Sequence, residues 1–117
     1  MRSAAIDVAK ISKCRYRMGA VLKNGKDTVS ATNIMKTHPW LNLDKSKPRV
    51  SIHAEMRVLI KAKQKAKGST IWVARVNKAG DPVCSKPCPL CVHLMKEAKV
   101  SHVHYLNEYG LWEVAEL

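Results

Sequence analysis

The chain has 117 residues, 46% of them hydrophobic and 5% aromatic with no Phe, and it carries 21 Lys+Arg against 9 Asp+Glu for a net charge of +12. That length suits one domain over residues 1–117 with a mainly aliphatic core. No apolar run approaches the roughly 20 residues of a membrane-spanning helix, which excludes that class of membrane protein.

The first residues, Met1-Arg2-Ser3-Ala4-Ala5-Ile6-Asp7, lack the apolar block of a secretory signal, so a cytoplasmic location is expected. In that setting four cysteines with one Cys-x-x-Cys spacing point to metal binding over disulfides. The cationic excess raises the expectation of a phosphate-bearing partner, from a nucleotide to a nucleic acid. It also serves the plainer purpose of keeping a small protein soluble.

In chain order, Ala4, Ala5, Val8 and Ile11 recur at helical spacing over residues 3–12, with Ser3 as a candidate N-cap and Asp7 in the first turn. Residues 16–22 alternate as a strand. Asn24-Gly25 is a strong short-range hairpin signal, and a second strand over 27–32 follows as the antiparallel neighbour of the first. Residues 33–50 form a long connection holding His38, Pro39 and Trp40, of a length usually kept for function. Ile52, Met56, Leu59 and Ile60 mark one buried face of a helix over 51–67, with Ser51 as a cap candidate and Gly68 as its stop. Its outer face carries Arg57, Lys61, Lys63, Lys65 and Lys67, most simply a solvated surface.

Thr70 to Val76 is a near-continuous apolar run rich in β-branched residues, as expected of an interior strand. A loop follows, then a helix starting near Cys88 with Pro89 in its first turn. Residues 100–105 make another strand, and 111–114 a short last one. Their connection is too short for a crossover, so the last strand must be antiparallel. The fold class is α/β: three α-β-α layers around a mixed five-stranded sheet, with an N-terminal antiparallel hairpin and a short antiparallel last strand.

The chemistry gathers in two places, His53-Ala54-Glu55 and Pro87-Cys88-Pro89-Leu90-Cys91. Cys88 and Cys91 are three apart, so at a helix start both sulfurs face one point. With His53 they make a three-ligand zinc site that leaves a position open for water, as catalytic zinc requires. Glu55, not needed as a ligand, is placed to carry protons. His93 lies about 200° round the helix from Cys91 and should point away. Cys84 offers a competing reading, a closed four-ligand structural zinc. His102 and His104 share a strand face without a third ligand, which suggests an exposed or interface surface.

The H-x-E and P-C-x-x-C pair resembles the signature of zinc-dependent deaminases, and the whole chain looks like the cytidine/deoxycytidylate deaminase superfamily. The resemblance implies one zinc per chain with a bound water or hydroxide, and hydrolytic deamination of cytosine to uracil in a nucleoside or nucleotide such as dCMP. It implies that Asn33 contacts the ribose and that the amides of Ala54 and Cys88, with the carbonyl of Ser85 or Lys86 beside Pro87, read the base edge. His38 and Trp40 are further candidates from the pocket loop. Two alternatives stand: deamination of cytosine or adenine in single-stranded DNA or RNA, with which the charge is compatible, and a non-catalytic structural zinc protein. The antiparallel last strand resembles the free-nucleoside enzymes more than the nucleic-acid-editing branches. Relatives of this kind are commonly homo-oligomers, and the apolar helix faces allow that here.

Overall fold

The structure is a computed structural model that describes residues 1–12, 17–33 and 54–117. In chain order its elements are α1 (Arg2–Lys10), β1 (Arg17–Asn24), β2 (Asp27–Thr32), α2 (Ala54–Ala62) with a 3-10 turn (Lys63–Ala66), β3 (Thr70–Val76), β4 (Pro82–Val83), α3 (Pro89–Glu97), β5 (His102–Leu106) and β6 (Trp112–Glu116).

Among the described residues one sheet holds every strand, in the order β2-β1-β3-β5-β6, with β4 added beside β3. The five expected strands are therefore joined by a sixth. β4 is only two residues long and begins with a proline, too little for any alternating pattern to reveal. It pairs with Arg75 and Val76 at the end of β3. Both hairpins, β1-β2 and β5-β6, are antiparallel, and β3 and β5 are parallel. β3 sits between β1 and β5, and alternate residues feed opposite cores. Ile71 and Val73 join Leu22, Met56, Leu59, Cys91 and Met95 on one side, while Ala74 and Val76 join Ala5, Ala9 and Val21 on the other. That two-sided burial explains its unbroken apolar sequence. It also gives the three layers, with α2 and α3 over one face and α1 over the other.

The two crossovers differ. Helix α3 links the parallel neighbours β3 and β5, as its position in the sequence suggests. Helix α2 links β2 to β3, which are not neighbours. β1 lies between them, antiparallel to both, so β2 and β3 point the same way. The C-terminal ends of β2, β3 and β5 therefore share one edge of the sheet.

Several boundaries moved for tertiary reasons. Met1, not Ser3, is the N-cap of α1, and no side chain caps it. What fixes this helix is its seat on β1, where Ala5 and Ala9 are fully buried over Gly19. Arg2 adds a cation–π contact to Trp112, 5.6 Å from the ring centroid. The first hairpin closes on Gly25-Lys26, because Asn24 pairs with Asp27, and Gly25 takes φ 61° at the first central position. Asn24 instead donates from Nδ2 to the carbonyls of Lys65 and Lys67, at 2.8 and 3.0 Å. That tie accompanies a break in the expected long helix. α2 stops at Ala62, Lys63 turns left-handed (φ 53°), and a 3-10 turn finishes the segment before Gly68.

The basic face of α2 has structural work. Arg57 donates to the Thr32 carbonyl at 2.8 Å and its hydroxyl at 3.3 Å, and Lys61 donates to the Ser30 carbonyl at 3.1 Å. One helical turn apart, these cations cover carbonyls on the free edge of β2, an edge that would otherwise invite another strand. Lys65 lies 3.3 Å from Asp27. On the opposite face His104 stacks on Trp72, with centroids 5.1 Å apart and planes 16° from parallel.

Two predictions follow from this packing. A Cβ at Gly19 would sit 2.8 Å from the Ala5 carbonyl oxygen and closer still to the Ala9 nitrogen, both backbone. Gly19→Ala should cost about 3 kcal/mol or more, read as a lowered denaturant midpoint at unchanged slope. Burial, then Arg2 and His102, lower the His104 pKa from its ordinary value. The folded state thus favours neutral imidazole, and the stability this group supports is lost as pH falls below about 6.5, where the unfolded chain takes up the proton. Thermal melts on the acid side should show parental loss that His104→Phe, which keeps the ring stack, reduces.

Candidate active site

The site forms where the C-terminal ends of β2, β3 and β5 meet the starts of α2 and α3. After β3 the chain makes a tight loop in which Asn77 Oδ1 accepts from the amides of Ala79 and Asp81, with Gly80 at φ 88°. It returns as β4 and then crosses the strand ends as the segment 84–88. Ser85 fastens that crossing. Its amide donates to the Leu106 carbonyl at 2.8 Å, its hydroxyl donates to the Val73 carbonyl at 2.8 Å, and the hydroxyl oxygen accepts from the Leu106 amide at 2.8 Å. Only 2% exposed, Ser85 bridges β3 and β5 beyond the point where their own pairing ends at Trp72 and His104. Pro87 is buried behind it and Lys86 is exposed.

Cys88 is the N-cap of α3. Its backbone is extended, and its Sγ accepts from the Cys91 amide at 3.4 Å, with Pro89 in the first turn. The two sulfurs lie 3.3 Å apart. Cys91 is fully buried, as is Glu55 in the first turn of α2. Contact with the Cys88 sulfur, then burial, then the charge of Glu55 push the Cys91 thiol well above its usual range. Two sulfurs this close, with a buried carboxylate acting on one of them, favour a cation, which would stabilise thiolates there. The donor set suits zinc, a borderline-soft ion that takes sulfur and nitrogen.

The remaining site residues fall as follows. Ala54 is buried beside Glu55 at the start of α2. Asn33, 3% exposed at the end of β2, has its Oδ1 engaged by the Ser12 hydroxyl at 2.6 Å and the Met18 amide at 3.1 Å. It therefore ties the exit of α1 to β1. His53, His38 and Trp40, together with Cys14 and Ser51, lie outside the described residues. Among the described residues no three His, Cys, Asp or Glu side chains come together as a metal cluster. Cys84, exposed, is thus not brought to the cysteine pair and lines a separate cleft with Arg75 and Lys78. His93 is exposed, as its helical position predicts. The motif pattern gave no sign of the Ser85 hydroxyl as a clamp or of Arg57 as the strap that holds α2 to the end of β2. Both depend on strands distant in sequence.

The cytidine and deoxycytidylate deaminase zinc-binding region is matched over residues 1–107. The chain belongs to this family. Among solved structures, cytidine deaminase from Burkholderia pseudomallei is similar at TM-score 0.65 and 19% identity, over 99% of this chain and 92% of that one. RibD from Acinetobacter baumannii, in two forms, is similar at TM-score 0.54 and 22% identity, over 87% of this chain. The chain spans 25% of the length of RibD. At such identities these likenesses concern the fold. No curated protein matches the chain. Membership in the deaminase family agrees with the donor set above and with zinc as the metal.

Ser85→Ala would leave the Val73 carbonyl and the Leu106 amide buried without their partner. We expect a loss of about 2–3 kcal/mol in a chemical denaturation curve, against near-neutral behaviour for an exposed control such as Lys78→Ala.

Proposed function

We propose that the chain is a zinc-dependent cytosine deaminase, acting as a single catalytic domain on a cytidine or deoxycytidine nucleoside or nucleotide of the dCMP kind, in the cytoplasm. The observation that carries this reading is the convergent Cys88–Cys91 sulfur pair with the fully buried Glu55 against it. His53, Cys88 and Cys91 would hold the metal. Zinc, when bound, supplies the Lewis acidity that brings the ionisation of a water molecule near neutral pH.

The rest falls to the chain. Water adds its oxygen to C4 of cytosine, the bond from C4 to the exocyclic nitrogen breaks, and ammonia leaves behind the uracil carbonyl. Glu55 moves the two water protons in turn, the first to the ring nitrogen N3 and the second to the departing amine, which suits a carboxylate shielded from bulk solvent. Backbone groups at Ala54, Ser85, Lys86 and Cys88 would read the base edge, with Pro87 shaping the lip. Asn33, His38 and Trp40 would contact the rest of the nucleoside. The antiparallel pairing of β5 and β6 supports the free-nucleoside branch of the resemblance, and the net charge of +12 supports a phosphate on the substrate.

The test is a panel. Purified protein should hold about one zinc per chain and release ammonia from at least one of cytidine, deoxycytidine and dCMP. Glu55→Gln should keep the metal while losing activity by about 10²- to 10⁴-fold, and Cys88→Ser or Cys91→Ser should lose the metal itself. Activity surviving Glu55→Gln would sink the mechanism. Full zinc without turnover of any substrate would favour the structural zinc reading.

A further inference from the structure

The outer ridge of α3 carries a cationic stripe that the deaminase reading leaves unused. Lys86 is exposed two residues before Cys88, ahead of the helix; His93 and Lys96, three apart, are exposed neighbours on the helix itself; and Lys99 is exposed just past its C-cap, while Cys91 and Met95 are buried. The stripe lies in a concave surface. Lys86, His93 and Lys96 line an open cleft with Pro87 and Val92, and Lys96 is shared with the next cleft, which holds Lys99. Nine helical residues span about 14 Å, enough for a few backbone phosphates.

These cations differ from those of α2. Arg57, Lys61 and Lys65 are committed to β2 carbonyls and to Asp27. The ion pairs within the described residues are Lys65–Asp27 and His102–Glu116, and neither takes a cation of the stripe. The nearby acids are Glu97, exposed on α3, and Glu116, already facing His102 at 3.7 Å.

We propose that this ridge binds single-stranded nucleic acid, tracking its phosphates away from the lip of the site. A single strand fits because these side chains border two adjoining clefts that share Lys96, and because Lys86 stands in the segment that the deaminase reading places beside the base. A lipid surface instead calls for an apolar face that can insert beside the charges. No Phe, Tyr or Trp lines either cleft, so binding rests on phosphate contacts, tolerates any sequence and weakens steeply with salt. The proposal goes beyond the free-nucleotide reading, and the surface functions whether or not the bound strand is deaminated.

The experiment is fluorescence anisotropy with labelled oligothymidylate of about 15 nucleotides, which contains no cytosine, titrated over a range of salt. The parent should bind at low salt. Lys96→Gln with Lys99→Asn should lower the slope of log affinity against log salt by about 1.4, two contacts at about 0.7 each. Asn is chosen because Lys99 has φ 64°. The same variant should release ammonia from dCMP at the parental rate and melt at the parental temperature. An unchanged slope, no binding by the parent, or an equal loss from Lys10→Gln with Lys26→Gln, on α1 and the first hairpin, would overturn the proposal. So would retention on phosphatidylserine vesicles without retention of oligothymidylate, which would indicate a lipid surface. Because oligothymidylate binding needs no chemistry, a failure of the deaminase reading in the substrate panel leaves this result standing, and the reverse also holds.

Discussion

One serine hydroxyl holds the working edge of this fold in place. Beyond Trp72 and His104, β3 and β5 no longer pair with each other, and Ser85 stands between them, bonded to Val73 on one side and twice to Leu106 on the other. Without that bridge the backbone groups at the strand ends would be buried and unpaired, which a folded chain rarely tolerates. With it, the segment 84–88 crosses the sheet edge at a fixed height. Pro87 is then buried, and Cys88 arrives at the start of α3 with its sulfur turned toward that of Cys91. On the other side Arg57 ties α2, which carries the buried Glu55 in its first turn, to the end of β2. The two halves of the motif meet because two polar side chains outside it fix the elements that carry them.

The division between what was legible in the sequence and what was not follows from range. The Cys-x-x-Cys spacing, the proline after Cys88, the interior strand from Thr70 to Val76 and the second strand from Asp27 to Thr32 are local patterns, and each has a local cause. The misplaced features have remote causes. Asn24 looks like a turn residue, yet it is recruited by the carbonyls of Lys65 and Lys67, and the turn moves one place to Gly25-Lys26. The helix expected over 51–67 looks unbroken to Lys67, yet it yields at Lys63, just before the carbonyls of Lys65 and Lys67 that take that same asparagine. Ser3 has the chemistry of a cap and is passed over, because the position of α1 is set by Ala5 and Ala9 closing on Gly19. In the site, the residue types were legible from the motif, whereas the commitment of Asn33 Oδ1 to Ser12 and Met18 was not, since its partners come from two other elements.

The charge also divides once the fold is known. As a bulk property, +12 says only that anions are welcome. In the structure part of that charge is mortar: Arg57, Lys61 and Lys65 close the edge of β2 and the first hairpin. Lys96 on α3, and Lys86 and Lys99 at its two ends, have no such employment, and they flank the helix whose first turn bears the cysteine pair. The distinction between structural and available cations is thus one that the count of charges does not draw.

The loop at Asn77 has a counterpart. At Asn107, Oδ1 again accepts from the amides two and four residues on, Tyr109 and Leu111, and a left-handed glycine, Gly110, again sits in the fourth position. Asn77-x-x-Gly80 and Asn107-x-x-Gly110 are thus one device used twice, at the exits of β3 and β5. Each loop is held by its own asparagine, glycine and backbone amides, which leaves the side chains of the two residues between them, Lys78-Ala79 and Glu108-Tyr109, exposed and without a part in the closure. Lys78 and Glu108 border the same cleft. The border of that cleft is therefore separable from the scaffold. Its charge and bulk can drift, or be redesigned, at four positions while the asparagine–glycine frames keep both hairpins closed, so this surface can change character without passing through an unfolded intermediate sequence.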